Sequence, residues 1–194
     1  MNNSQDLNTA LLVMDVQTNI LSRLEEKQAQ SLIDRLQEAI AAARRAGLPV
    51  IYAVVGFRKG VPEISWSNKM FGRIKNDSAA LAAVGQPVAI APGIAPREED
   101  IVVTKKRVSA FTGSDLEIIL RASKVEHLVL AGIATSGVVL STVREAADKD
   151  FRLTVLSDGC ADTDPEVHTV LLTKVFPRQA DVMTVGEWIG EEKS

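Results

Sequence analysis

Residues 128–149 read LVLAGIATSGVVLSTVREAADK and contain one complete strand-to-helix unit. The apolar residues 128–131 have the length and composition of a buried strand. Small residues follow, and Thr135 or Ser136 is a suitable N-cap for a helix that extends to about Lys149. An apolar strand followed by a helix is typical of a parallel sheet that is covered on both faces.

The same alternation continues along the rest of the chain. Five further apolar runs of strand length occur, at residues 10–14, 50–55, 101–104, 153–156 and 180–183. Helices are predicted between them, at residues 28–46, 114–123 and 164–175. Ser114 with Glu117 forms a capping-box pattern, and Asp164 with Pro165 is a typical helix start. We therefore expect one α/β domain over residues 1–194, a three-layer sandwich around a six-stranded, mainly parallel, Rossmann-like sheet.

The segment 56–99 departs from this pattern because it is rich in proline and lacks clean periodicity. A long irregular segment inside a compact domain is more often functional than accidental. Trp66, Met70, Phe71 and Ile74 have helical spacing and predict one short helix. Trp66 could line a pocket or a subunit contact, or it could simply pack this segment onto the sheet.

Composition excludes several classes of protein. The chain has 22 basic and 25 acidic residues, which argues against nucleic acid or an anionic membrane as the main partner. The apolar runs are too short for a membrane span of about 20 residues, and the polar residues 1–7 do not resemble a signal peptide. We therefore expect a cytoplasmic protein. One cysteine and two distant histidines predict no disulfide, no metal site and no cofactor.

Two charged residues are predicted to lie at one edge of the sheet. Ligands of open parallel sheets bind beyond the carboxyl ends of the strands, and Asp15 follows the first strand whereas Lys105 follows the third. A carboxylate held beside an ammonium in a site of low polarity can exchange protons with a bound molecule. Two alternatives remain open: Asp15 could cap the next turn, and residues 105–107 could be a solvated charge run.

The turn at residues 132–137, GIATSG, places backbone N–H groups at the start of a helix. Such groups suit an anion or a developing oxyanion. The turn matches neither GxGxxG nor a P-loop, so nucleotide binding has little support. It could equally be a tight connection with no chemical role.

Four stretches, in this order, resemble the isochorismatase-like hydrolase superfamily, whose members are often called cysteine hydrolases. The stretches are ALLVMDVQ (10–17), KKRVSAFTGSDL (105–116), LVLAGIAT (128–135) and LTVLSDGCAD (153–162). The resemblance extends from about residue 11 to residue 188 and implies a six-stranded parallel α/β fold. It assigns the family's catalytic aspartate and lysine to Asp15 and Lys105. It also implies a cis peptide bond between Ile133 and Ala134.

The chain departs from the family at the nucleophile. The family pattern is G-(V/I)-A-T-x-x-C-V, and this chain has Val138 where the cysteine stands. Valine has no lone pair with which to attack, so the thioester route is closed at this position. Cys160 is predicted to pack rather than to react. The histidines of the nicotinamidase branch's metal site are also absent from residues 54–65, and His168 is interpreted as a surface or packing residue.

The leading hypothesis is a hydrolase of a small metabolite, anions included, that uses Asp15 as general acid or base with Lys105. The resemblance implies that backbone amides of the turn bind developing negative charge, with Ala134, Gly137 and Val138 as the candidates. Further candidates for substrate binding are Arg107, Arg58, Asn68 and Phe71.

Two alternatives belong to other classes. The first is a non-catalytic descendant that binds a small carboxylate or serves as an oligomeric scaffold. The second is an amidase that uses Ser136 or Ser141 in place of cysteine. The resemblance also implies a homo-oligomer, a dimer or a tetramer, and we expect its contact in segment 56–99 with Trp66 and Phe71.

Overall fold

The computed structural model describes residues 8–85 and 89–190, and within them six parallel strands form one sheet. The strands are β1 (Thr9–Met14), β2 (Val50–Val55), β3 (Ile101–Lys105), β4 (His127–Ile133), β5 (Arg152–Ala161) and β6 (Asp181–Met183). Their spatial order is β3-β2-β1-β4-β5-β6. The predicted six-stranded parallel sheet is therefore confirmed. The polar residues 1–7, on which the signal-peptide argument depends, lie outside the described residues.

Helices cover both faces of the sheet. They are α1 (Thr18–Leu21), α2 (Glu26–Arg45), α3 (Ser78–Ala83), α4 (Leu116–Ala122), α5 (Leu140–Asp148), α6 (Pro165–Val170) and α7 (Val185–Ile189). One buried cluster joins α4 and α5 to one face, and a second joins α2 and α7 to the other. This arrangement follows from strands that are apolar on both sides, and it confirms the predicted three layers. None of the described helices is long and apolar enough to cross a membrane.

Local capping agrees with the sequence in one helix and differs in another. The Asp164 side chain accepts hydrogen bonds from the backbone N–H groups of Glu166 and Val167, so the predicted start of α6 is confirmed. The predicted capping box at Ser114 is wrong. The Ser114 hydroxyl donates to the carbonyl oxygen of Ala110 at 2.6 Å, and α4 begins two residues later. The Glu117 carboxylate pairs instead with Lys149.

The segment 56–99 is more ordered than predicted, but its helix is displaced. A 3-10 helix covers Phe71–Asn76, because the Asn68 carboxamide oxygen accepts the N–H groups of Met70 and Phe71 and starts the turn there. Trp66 lies before this helix with 66% of its surface exposed, so it does not pack the segment onto the sheet. The helix α3, which starts after the cap Asp77, was missed in a run of small alanines.

Candidate active site

The sheet brings Asp15 and Lys105 together from strands that are not neighbours. The backbone N–H of Asp15 donates to Ala53 in β2, and Val55 in β2 is in register with Lys105 in β3. The Lys105 side chain reaches across the end of β2, and its Nζ lies 2.9 Å from Asp15 Oδ2. The side chain of Asp15 therefore pairs with lysine and does not cap the next turn.

Lys105 is the one member of the basic triplet that enters this site. Only 1% of its surface is exposed, which excludes the solvated-charge interpretation for this residue. Its Nζ donates to the carbonyl oxygens of Arg107 at 2.9 Å and Val108 at 3.1 Å, in addition to Asp15. Burial lowers the pKa of Lys105, and the neighbouring Asp15 opposes this effect. Three acceptors match the three protons of an ammonium group, so the geometry specifies the charged form.

Only one of the two Asp15 carboxylate oxygens has a hydrogen-bond partner among the described residues. Its backbone has a positive φ of 55°, and 8% of its surface is exposed. Oδ2 contacts Lys105, whereas the buried Oδ1 has no hydrogen-bond partner among the described residues. Burial raises the pKa of Asp15 from 3.8 to about 6, and two groups oppose the shift: Lys105 and the nearby backbone N–H of Val55, which donates to Gln17 Oε1 at 2.7 Å. Oδ1 is therefore an atom that can take up or release a proton near neutral pH.

A glycine brings the turn after β4 close to Asp15. Met14 in β1 is in register with Gly132 in β4, and a Cβ at residue 132 would lie 2.1 Å from the Met14 carbonyl oxygen. Gly132 also has a φ of +141°, which other residues rarely adopt. The predicted cis peptide bond between Ile133 and Ala134 is present. Asp15 directly follows Met14, and the turn directly follows Ile133. The close approach of β1 and β4 therefore places Asp15 near the turn.

The turn itself is a π-helical turn, Thr135–Val139, that continues directly into α5. Val138, at the position that the resemblance assigns to the nucleophile, is buried in the core cluster that also contains Met14 and Phe111. The N–H of Gly137 already donates to the carbonyl oxygen of Ala134 at 3.0 Å. The N–H of Gly137 is therefore already engaged. Anion binding by the N–H groups of Ala134 and Val138 stays a prediction.

The polar residues predicted to bind substrate are engaged within the protein. Arg107 donates to the carbonyl oxygens of Lys106 at 2.6 Å and Glu63 at 2.8 Å. Arg58 pairs with the Glu63 carboxylate at 2.6 Å. The Asn68 side chain starts the 3-10 helix, as described above, and Phe71 packs against Val61, Ile64 and Phe57. These contacts brace the segment 56–76 against the loop after β3, and none of them includes Asp15 or Lys105.

Three polar residues near this edge were not predicted to contribute. The backbone N–H of Val55 donates to Gln17 Oε1 at 2.7 Å, and Gln17 Nε2 donates to the carbonyl oxygen of Val55 at 3.2 Å. These two hydrogen bonds join the end of β1 to β2. Asp162 and His168 contact the turn after β4. The rule of strand ends would have found Asp162 if the strand had been extended to residue 161, where β5 ends.

Cys160 lies inside β5, whereas the predicted strand ends at residue 156 and leaves Cys160 after it. It is buried, and burial raises the pKa of its thiol to about 12, which leaves it uncharged and unreactive at neutral pH. Among residues 8–85 and 89–190, no group of three or more His, Cys, Asp or Glu side chains could hold a metal ion. His168 hydrogen-bonds Thr135 and neither of the two serines considered as nucleophiles.

Comparison with known proteins matches this fold. The isochorismatase domain model matches residues 9–187. An isochorismatase family protein from Burkholderia thailandensis has the same fold, with a TM-score of 0.82, 28% identity and 93% of each chain covered. The chain belongs to the isochorismatase family, within the isochorismatase-like hydrolase superfamily.

Two sequence relatives differ in what their names say. The ureidoacrylate amidohydrolase RutB of Stutzerimonas stutzeri (strain A1501) is 33% identical, over 94% of this chain and 77% of that protein. A protein of Arabidopsis thaliana named as a probable inactive nicotinamidase is 29% identical, over 95% of this chain and 96% of that protein. The chain is thus similar both to a named amidohydrolase and to a relative described as inactive.

Proposed function

We propose that the protein hydrolyses a small metabolite with Asp15 as general acid and base, and without a cysteine nucleophile. The single observation that carries this proposal is the buried Oδ1 of Asp15, which has no hydrogen-bond partner within residues 8–85 and 89–190. A buried polar atom without a partner is costly, and such atoms persist where a ligand or a reaction uses them. The pKa of about 6 adds that both protonation states of Asp15 are accessible near neutral pH.

In the proposed reaction, water replaces the missing thiol. Asp15 Oδ1 removes a proton from water as the water oxygen bonds to the electrophilic carbon of the substrate. The same proton then passes from Oδ1 to the leaving group as its bond to that carbon breaks. Lys105 holds Oδ2 at 2.9 Å, and so it orients the carboxylate with Oδ1 free. The N–H groups of Ala134 and Val138 stabilise the negative charge that develops on the substrate.

Size and chemistry narrow the candidate substrates. The Asp15 side chain is only 10% exposed, which favours a small molecule. The similarity to an amidohydrolase of ureidoacrylate makes small ureido acids and amides the first compounds to test. Enol ethers are the second class, because a carboxylic acid alone can protonate their carbon. Val138 excludes a covalent thioester in either case.

The test is a screen of ureido acids, amides, esters and enol ethers with purified protein. Turnover by the unmodified chain should fall at least about 100-fold in Asp15→Asn, because the amide neither takes nor gives the proton. Asp34→Asn is the matched control, since Asp34 is exposed on α2 and should leave turnover unchanged. Turnover that survives Asp15→Asn would contradict the proposal.

We also propose that copies of this chain associate, as a dimer or a tetramer, through the segment 56–99 in the cytoplasm. Trp66 and Met70 support this proposal because both apolar side chains are mostly exposed. Phe71 is turned inward and is not part of the proposed contact. Light scattering of Trp66→Ser with Met70→Ser should give a smaller particle than the unmodified chain, and an unchanged mass would contradict this contact.

A further inference from the structure

Two consecutive residues of the turn after β4 are held by hydrogen bonds from beyond β5, one to Asp162 in the connection between β5 and α6 and one to His168 on α6. The Thr135 hydroxyl and His168 Nδ1 lie 2.8 Å apart, and the backbone N–H of Ser136 donates to Asp162 Oδ2 at 2.7 Å. Neither hydrogen bond belongs to the sheet or to a helix. The reaction proposed above uses neither Asp162 nor His168.

Asp162 is itself fixed from several directions. Only 4% of its surface is exposed. Its Oδ1 accepts the N–H of Asp164 at 3.3 Å, and its backbone carbonyl oxygen accepts Gln28 Nε2 from α2 at 3.0 Å. Both carboxylate oxygens therefore have donors, whereas only Oδ2 of Asp15 has one among the described residues. A buried carboxylate whose oxygens are both occupied is suited to hold a neighbour and not to exchange a proton.

His168 makes the second hydrogen bond to the turn, through the Thr135 hydroxyl. It is half-buried on α6, and burial lowers its pKa while Asp162 opposes the shift. A neutral imidazole both donates and accepts one hydrogen bond, so it can pair with a hydroxyl in either sense. Thr135 has no exposed surface, which places its hydroxyl in the contact with His168 and away from any substrate.

We propose that Asp162 is a positioning residue of the active site, with His168 as its assistant. It acts through the turn: the charge-assisted hydrogen bond to Ser136 fixes the peptide group between residues 135 and 136. The orientation of the neighbouring N–H groups of Ala134 and Val138 is then set before substrate binds. Donors that are already oriented need no reorganisation as charge develops. This inference rests on the proposed function for its effect on turnover, but not for its effect on the turn.

The first experiment needs no substrate. Hydrogen exchange of peptides covering residues 134–139 should be at least about 10-fold faster in Asp162→Ala than in the unmodified chain, because local opening of the turn becomes easier. Asp164→Ala is the matched control: it removes the cap of α6 two residues further on and should leave exchange of the turn unchanged. Unchanged exchange in a folded Asp162→Ala would overturn the inference.

The second experiment uses whichever substrate the screen identifies. Asp162→Ala should lower kcat about 100-fold, with KM within about threefold, because the turn is misplaced in the transition state more than in substrate binding. Asp162→Asn keeps an acceptor for Ser136 and should restore most of kcat. A rise in KM with kcat unchanged, or a kcat that Asp162→Asn does not restore, would contradict a positioning role.

Thr135→Val keeps the test decisive if Asp162→Ala does not fold. This variant is nearly isosteric and removes only the hydrogen bond to His168, so exchange of the turn should rise less than with Asp162→Ala but above that of Asp164→Ala. Exchange equal to that of the unmodified chain would overturn the role of His168. Because the exchange readout is independent of turnover, a chain without any hydrolase activity would refute the proposed function and leave the positioning of the turn measurable.

Discussion

Among the described residues, one ion pair lies at each end of the sheet's strands with its carboxylate mostly buried, and the two pairs differ in one respect. Lys105 and Asp15 meet at the carboxyl ends of the strands, whereas Arg44 and Asp100 meet before the first residue of β3. Arg44 donates to both oxygens of Asp100, and the N–H of Arg97 adds a third hydrogen bond at 2.7 Å. Asp15 receives Lys105 on one oxygen, and its other oxygen has no partner among the described residues.

This difference separates a structural pair from a reactive one. Asp100 raises the pKa of Arg44 by hydrogen bonding, which keeps Arg44 charged. Burial raises the pKa of Asp15 to about 6 in spite of Lys105, so its charge is poised to change. A fully satisfied pair stabilises the fold, and an unsatisfied pair keeps capacity for a ligand. Ion-pair distance alone does not distinguish the two.

The largest effects are expected from two variants that each remove the carboxylate charge of one ion pair. Together they test directly whether one pair is reactive and the other structural. Asp15→Asn should lower turnover at least about 100-fold while the protein remains folded. Asp100→Asn should lower the free energy of unfolding by about 2 kcal/mol, because hydrogen bonds to Arg44 are weakened, and leave turnover per folded molecule unchanged. Steady-state rates and urea unfolding measure the two quantities. A loss of turnover in Asp100→Asn similar to that in Asp15→Asn would remove the distinction.

Removal of the lysine should make the stability of the reactive pair depend on pH. Lys105→Met leaves Asp15 buried without a cation, which should raise its pKa above about 6. At pH 8 the variant should be less stable than the unmodified chain by about 3 kcal/mol, within the range for breaking a buried pair. At pH 5 the loss should be smaller, because Asp15 takes a proton and becomes neutral. A loss that is equal at both pH values would contradict the coupling of these two groups.

The stability of the unmodified chain should also fall between pH 4 and pH 6. The folded pKa of Asp15, about 6, lies above the ordinary value of 3.8, so the folded state binds the proton more tightly in this window. Two pKa units correspond to about 3 kcal/mol, present at low pH and lost as pH rises through 6. The difference in unfolding free energy between the unmodified chain and Asp15→Asn isolates this contribution from other carboxylates.

The smallest expected effect concerns the native thiol, which belongs to the core and not to the site. Iodoacetamide should leave Cys160 unlabelled in the folded protein at neutral pH, because the residue is buried and burial raises the pKa of its thiol to about 12. Turnover should be unchanged after this treatment, whereas the chain unfolded in urea should be labelled, as mass spectrometry will show. Rapid labelling of the folded chain with loss of turnover would contradict the assignment of Cys160 to the core.

Much of the fold and the central pair could be predicted from the sequence. The strands are apolar on both faces, so their runs are visible without tertiary information, and all six predicted strands overlap observed ones. The pairing of Asp15 with Lys105 follows from their places after two strands of a parallel sheet. The unpartnered Oδ1 could not be predicted, because it depends on which other groups fail to reach it.

Other features of the molecule depend on contacts that no local pattern encodes. Arg58 and Arg107 were predicted to bind substrate, and the sequence did not show that Glu63, in an aperiodic segment, contacts both. The Ser114 capping box failed because Ser114 Oγ accepts the N–H of Leu116 and not that of Glu117, and the Glu117 carboxylate pairs with Lys149. Asp162 was missed because β5 continues through the polar residues Ser157 and Asp158, where the sequence predicts a strand end.

A titration of the Asp15 carboxyl carbon by NMR tests the account most directly. Spectra of the unmodified chain and of Asp15→Asn identify the resonance by its loss, and the pH dependence then gives the pKa. We expect a midpoint of about 6 in the unmodified chain and a higher one in Lys105→Met. A midpoint at or below the ordinary value of 3.8 would show a satisfied structural pair like that of Arg44 and Asp100, and it would contradict the proposed role of Asp15.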